Sequence, residues 1–291
     1  MRRPLRVSLR LLSRLLPMLG LTAVLLAPAL LAPRLAHGAE SYTLAVVPQF
    51  EQRKLFAIWK PIVDALSQRT GLSLTLTTTL SIPAFEQGLE KGNYDFVYSN
   101  PYHILKAFES QGYLPLVRDA APLRGILVVR KDSPLRQPGD LDGKSLAVPS
   151  PNALGASLLL RSDLENLHNA RVRMVNVKTH SAVYMNVLTG VVEAGGGVEK
   201  TLQEQSPNIQ DGLRVLYTTR EMPSHPVAAH PRVPKPVRER LRAALLELAA
   251  TPEGAALLDN IPIKKVVTAS IADYKVMKGW GLERYWVNEG Q

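Results

Sequence analysis

From residue 42 onward, short apolar runs alternate with stretches of helical periodicity, and this order leaves few folds open to the chain. Tyr42 to Val47 reads as a buried strand, and Leu55, Ile58, Ile62 and Leu66 line one face of a helix that Gly71 ends. Ser73 to Thr79 alternates Leu with Ser and Thr, the period of a second strand. A short helix around Ala84 to Lys91, a strand at Tyr94 to Tyr98 and a helix from about Pro101 to Ser110 follow. Such alternation predicts mainly parallel sheets covered by helices on both faces, an α/β fold.

A second series begins after Gly125 to Arg130, itself a strand that Asp132-Ser133-Pro134 breaks. It comprises a strand at Leu146 to Pro149, a helix from about Ala153 to Leu167, a strand at Val172 to Val177 and a helix from about Ala182 to Leu188. Leu213 to Thr218 reads as a further strand, and Pro223 to Pro236 as a proline-rich run. Val237, Leu241, Leu245 and Leu248 then mark an amphipathic helix, and Thr251-Pro252 opens another. Two α/β lobes, each near the size of a small domain, are the expectation.

The 291 residues carry 35 Lys and Arg against 25 Asp and Glu. Six of those arginines (Arg2, Arg3, Arg6, Arg10, Arg14 and Arg34) lie in residues 1–38, which hold no acid, leaving 29 basic residues against 25 acidic ones elsewhere. So small an excess removes most of the electrostatic case for nucleic acid. The same leader has an arginine-rich start, an apolar stretch from Leu15 to Leu31, and small residues at Ala36 and Gly38 ahead of Ala39. Residues 1–38 are therefore expected to be a cleaved signal peptide that exports the remainder. The chain has no cysteine, which excludes thiol nucleophiles, disulfides, iron–sulfur clusters and cysteine zinc sites.

In open parallel sheets, ligands bind where strand ends lead into helix N-termini. Three loops answer to that description: Pro48-Gln49-Phe50, Tyr98-Ser99-Asn100-Pro101 and Pro149-Ser150-Pro151-Asn152-Ala153. Any one of them alone is an ordinary capped turn. Nothing in the sequence carries enzymatic chemistry: there is no nucleophile elbow, HExxH, Walker A or GxGxxG motif. His103, His180, His225 and His230 lack zinc-site spacing, and the prolines after His225 and His230 favour extended backbone, so solvent-edge histidines are expected there. No cofactor or metal is expected.

Four segments resemble a known family. They are Asp95-Phe96-Val97-Tyr98-Ser99-Asn100-Pro101-Tyr102-His103, the strand from Gly125 with its Val-Arg-Lys-Asp-Ser-Pro ending, Asp140-Leu141-x-Gly143-Lys144, and Val191 to Val198 with its Ala-Gly-Gly-Gly-Val. Over about Tyr42 to Asn260 the chain is similar to the periplasmic substrate-binding proteins of phosphate, phosphite and phosphonate ABC transporters. The resemblance implies a two-lobed type II periplasmic binding protein fold, with two strands crossing between lobes and a ligand in the cleft. It places lobe I at 39–125 plus 219–291 and lobe II at 126–218. It also implies that Tyr98 and Ser99 touch the oxyanion and that His180 points into the cleft. The candidate ligand-binding set is Gln49, Phe50, Tyr98, Ser99, Asn100, Ser150, Asn152, Ala153, Leu154, His180 and Tyr184.

Two departures from the family pattern stand out. Where phosphonate binders present a Ser-Thr-Ser-Gly type turn, this chain has Asn152-Ala153-Leu154-Gly155-Ala156; where aminophosphonate binders keep an acid, it has Ala194-Gly195-Gly196-Gly197. Backbone N–H groups can still cradle an anion at such a turn, but an aminophosphonate is not expected. The three glycines read either as a tight turn or as a place of close backbone approach. Expected partners are a small anionic ligand and an inner-membrane ABC permease, with the chain a monomer. A sensing module of the same fold, feeding a membrane kinase or cyclase, is the alternative.

Overall fold

The computed structural model describes residues 40–261 and 263–288. The leader expected at 1–38 lies outside the described residues. The elements run β1 (Ser41–Val46), α1 (Gln52–Thr70), β2 (Ser73–Thr78), α2 (Ile82–Glu90), β3 (Phe96–Tyr98), α3 (Pro101–Gln111), β4 (Leu114–Asp119) and β5 (Leu123–Arg130). After these come β6 (Ser145–Val148), a π turn at Leu154–Leu158 leading into α4 (Leu159–Leu167), β7 (Arg173–Asn176), α5 (His180–Leu188) and β8 (Ala194–Val198). The chain continues through α6 (Glu199–Gln203), α7 (Pro207–Gly212), β9 (Leu213–Met222), β10 (Val227–Ala229), α8 (Lys235–Ala249), α9 (Pro252–Leu258), β11 (Val266–Thr268) and α10 (Ala272–Lys275). None of the described helices is long and apolar enough to cross a membrane.

The strands build two sheets, β11-β4-β10-β3-β1-β2 and β7-β6-β8-β5-β9, one per lobe. In the first, α1 buries Leu55, Trp59, Ile62, Val63 and Leu66 and stops where Gly71 takes φ 69°, its N–H bonding to Ser67 O. The face expected from the sequence is therefore the face that packs. The chain crosses to the second sheet between β4 and β5 and returns between β9 and β10. Leu123 lies opposite Met222, so the two crossings run side by side.

Both sheets are mixed rather than mainly parallel. β1, β2 and β3 are mutually parallel, as are β6, β7 and β8, because helical crossovers join them. β10 returns from the other lobe and enters from the opposite end, so it lies antiparallel between β3 and β4; β5 likewise opposes β8. Periodicity does not report the direction in which a strand enters its sheet.

The glycine run 195–197 is no turn. It is the interior of β8, buried between β6 and β5, and its side chains are missing for steric reasons. A Cβ on Gly196 would fall 1.9 Å from the Ala156 carbonyl oxygen, and one on Gly197 2.1 Å from the Tyr184 hydroxyl. On the neighbouring strand, a Cβ on Gly125 would come within 2.2 Å of the Gly155 carbonyl oxygen. The π turn that opens the fourth helix thus rests on the sheet backbone to backbone. Three consecutive glycines are poor strand formers, and tertiary contact overrides that preference here.

The C-terminal segment joins the lobes from outside. Tyr274, Met277, Leu282 and Tyr285 pack in one cluster with Tyr102 and Leu105 of α3 and with Leu154, Leu158 and Leu159 of the second lobe.

Candidate functional site

The three loops read from the sequence converge on one crevice. Gln49 follows β1, Asn100 caps α3 by accepting from Tyr102 N (2.8 Å), and Ala153 to Ala156 form the start of the π turn. Across the gap, the His180 N–H at the start of α5 donates to Gln49 O (3.3 Å), and Lys54 Nζ donates to Glu204 O (2.8 Å). The lobes are therefore in contact. Between them remains a cavity with about 20 Å³ of room for the centre of a water molecule, close to what one water needs. Its lining is Gln49, Asn100, Pro101, Ala153 to Ala156, His180, Val198, Met222 and His225.

Of the expected set, Gln49, Asn100, Ala153, Leu154 and His180 face this cavity, and Phe50, Tyr98, Ser99, Ser150, Asn152 and Tyr184 do not line it. Tyr98 lies one layer behind, stacked on His225 (5.5 Å between ring centres) and packed on Trp59 (4.7 Å). Ser99 is fully buried with its N–H on Pro226 O, and no partner reaches its hydroxyl. Phe50 carries the Lys54 ammonium over its ring at 4.3 Å. Tyr184 fills the space that the Gly197 side chain leaves, and its hydroxyl bonds to Thr201 Oγ1 (2.6 Å). Ser150 and Asn152 belong to a neighbouring cluster.

His225 corrects the expectation of a solvent-edge histidine. It is 6% exposed, because the residues after it enter β10 in the middle of the first sheet and draw it into the crossing. His230, just beyond that strand, is half-buried and accepts from Arg232 N (3.1 Å). Burial, reinforced by the nearby His180 and His103, pushes the His225 imidazole down to about 3, and burial alone pushes His180 down to about 4. Both rings are neutral at ordinary pH. Among the described residues the cavity lining holds no Lys, Arg, Asp or Glu.

A second buried cluster spans the same seam. Glu86 of α2 accepts from Asn152 Nδ2 (2.9 Å) and from Ser150 Oγ (3.3 Å), and lies 2.9 Å from His103 Nε2. His103 Nε2 is also 3.2 Å from the Asn152 carbonyl oxygen. The Asn152 amide in turn grips the backbone of Val287, accepting from its N–H and donating to its carbonyl, both at 2.9 Å. Glu86, His103 and His225 are the residues that sequence reasoning missed. Glu86 lies on the inner face of an amphipathic helix and carries no motif, whereas His103 ends a family-like segment but reads from the sequence as a solvent-edge histidine, and α3 buries it at the seam.

The sequence matches the family described as "ABC transporter, phosphonate, periplasmic substrate-binding protein" over residues 44–274. Among solved structures, the chain is similar to a binding protein component of an ABC phosphonate transporter from Pseudomonas aeruginosa. That likeness has 15% identity and a TM-score of 0.78, and covers 85% of this chain and 88% of the other. It is also similar to PhnD1 from Prochlorococcus marinus in complex with methylphosphonate, with 14% identity, a TM-score of 0.75, and coverage of 85% and 99%. At these identities the likeness establishes the fold, two lobes of the type II periplasmic binding protein class. The family match goes further: this chain belongs to the periplasmic substrate-binding proteins of phosphonate ABC transporters.

Proposed function

We propose that the exported chain captures a small tetrahedral oxyanion of the phosphonate, phosphite or phosphate class between its lobes and delivers it to an inner-membrane ABC permease. The observation that carries this reading is the cavity itself, where loops from both lobes bring Gln49, Asn100, His180 and His225 around one space at the ends of the strands. In this closed form the space is close to that of one water, so an anion of few heavy atoms, such as the methylphosphonate held by the Prochlorococcus relative, enters as the lobes part. No lining acid stands ready for a ligand ammonium, which argues against aminophosphonates. The role is capture without covalent chemistry, and a monomer suffices for it.

The ligand acts by shifting an equilibrium. Taking the population from mostly open to mostly closed requires about 5.5 kcal/mol of preference for the closed form, which several hydrogen bonds to a charged ligand supply. The test is a thermal-shift panel on the mature protein with phosphate, phosphite, methylphosphonate, aminoethylphosphonate and organic acids. A true ligand at about a hundredfold excess over Kd stabilises by about 2.7 kcal/mol. Shifts with organic acids alone would remove the phosphorus oxyanions from the reading.

A further inference from the structure

The C-terminal segment is a strap rooted in the first lobe that ends on the second. Asp273 of α10 pairs with Arg118 of β4 (3.3 Å), Lys278 pairs with Glu109 of α3 (2.5 Å), and Glu283 accepts from the Tyr102 hydroxyl of α3 (2.7 Å). From there the chain reaches over the seam. The Tyr285 carbonyl accepts from Arg161 of α4 (3.2 Å), the Tyr285 hydroxyl donates to Glu165 (3.1 Å), and Arg284 pairs with the same carboxylate (3.2 Å). Two residues after Tyr285, the Val287 backbone meets Asn152.

Asn152 is engaged on every polar atom. One amide proton goes to Glu86 and the other to Val287 O, the amide oxygen takes the Val287 N–H, and the backbone N–H goes to Ser150 Oγ (3.2 Å). Its backbone carbonyl oxygen lies 3.2 Å from His103 Nε2. The residue is 1% exposed and does not line the cavity, yet Ala153 to Ala156, directly after it, form one wall. Parting the lobes would carry Glu86, His103 and the strap away from Asn152 together. A buried amide that loses all its partners at once is costly, so these bonds favour the closed form as a unit.

We propose that Asn152 is a positioning residue and that Tyr285 to Val287 are its clasp: the strap holds the turn at Ala153 to Ala156 in its ligand-receiving place and slows the parting of the lobes. The proposal rests on capture between the lobes, as argued above, and holds whichever small guest is captured.

Val287→Pro tests it, because it removes one N–H and little else. Trp286 already has φ −67° and ψ 132°, the backbone that a following proline requires, and the Val287 side chain is 40% exposed. Small-angle scattering of the ligand-free mature protein should show the variant more expanded than the wild type, since the clasp keeps part of the population closed. In stopped-flow binding of methylphosphonate, the dissociation rate should rise about tenfold while the association rate holds. Asn152→Asp keeps the acceptor for the Val287 N–H but loses both amide donors beside Glu86, and it should release methylphosphonate faster still. A merely structural role would lower the melting temperature and leave the two rates as they are. Superimposable scattering from the two ligand-free proteins, or an unchanged dissociation rate, would overturn the proposal and leave the oxyanion reading standing. If methylphosphonate, phosphite and phosphate bind neither protein, the oxyanion reading falls, and the scattering comparison still decides the clasp.

Discussion

Two buried polar clusters join the lobes within a few residues of each other, and they are built on opposite plans. Around Glu86 and His103, Ser150 and Asn152 supply partners from the other lobe, and the C-terminal backbone at Val287 fastens the outside. In the neighbouring cavity, His225 Nδ1 and, one layer back, the hydroxyls of Tyr98 and Ser99 find no partner. Unpaired buried polar groups cost stability. Closure pairs Glu86, Ser150 and Asn152 in the first cluster, although His103 Nδ1 stays without a partner; the second needs something from outside. A clamshell with both therefore has part of its closing energy built in, with the ligand contributing the rest.

The comparison breaks most readily in acid. His180 and His225 have folded-state values of about 4 and about 3, below the 6.5 of a free imidazole. Between those limits the unfolded chain binds protons that the folded chain refuses, so stability is full above about pH 6.5 and is lost as pH falls toward 4 and then 3. The loss should reach several kcal/mol, read as a falling melting temperature of the ligand-free protein, and His225→Phe should flatten its lower part. A melting temperature independent of pH over this window would mean that the rings are hydrated in solution.

Next in size is Glu86→Ala. It leaves Asn152, Ser150 and His103 short of a partner only in the closed form, so ligand affinity should fall by about 2–3 kcal/mol, roughly 30- to 150-fold in Kd. An unchanged Kd would show that the cluster is already broken in the bound state. The smallest effect sharpens the contrast. His225→Phe keeps an aromatic ring against Tyr98 and removes an unsatisfied polar group, so at neutral pH the ligand-free protein should gain up to about 1 kcal/mol while ligand affinity declines. A loss of ligand-free stability would place a water or another partner on that ring.

Much of this architecture is legible in the sequence. The α1 and α8 faces, the cap at Asn100, and the strand ends that carry Gln49 and Ala153 all follow from local periodicity and turn chemistry. What escapes is decided by contacts distant in sequence. β10 hides within a proline-rich run because its three residues gain their place from β3 and β4 rather than from their own preference. β8 hides behind glycines that are there to admit a carbonyl. Glu86, His103 and His225 are inner-face residues whose meaning depends on which lobe they meet, and no spacing encodes that.

The glycine strand has an implication for how this pocket can change. Where β8 and β5 meet the π turn, peptide groups press on peptide groups, and no side chain exists there to be exchanged for another. A lineage or an engineer seeking a new cargo must work through the side chains around that wall, Gln49, Asn100, His180 and His225 with Ala153, Leu154, Val198 and Met222, while the wall itself stays as it is.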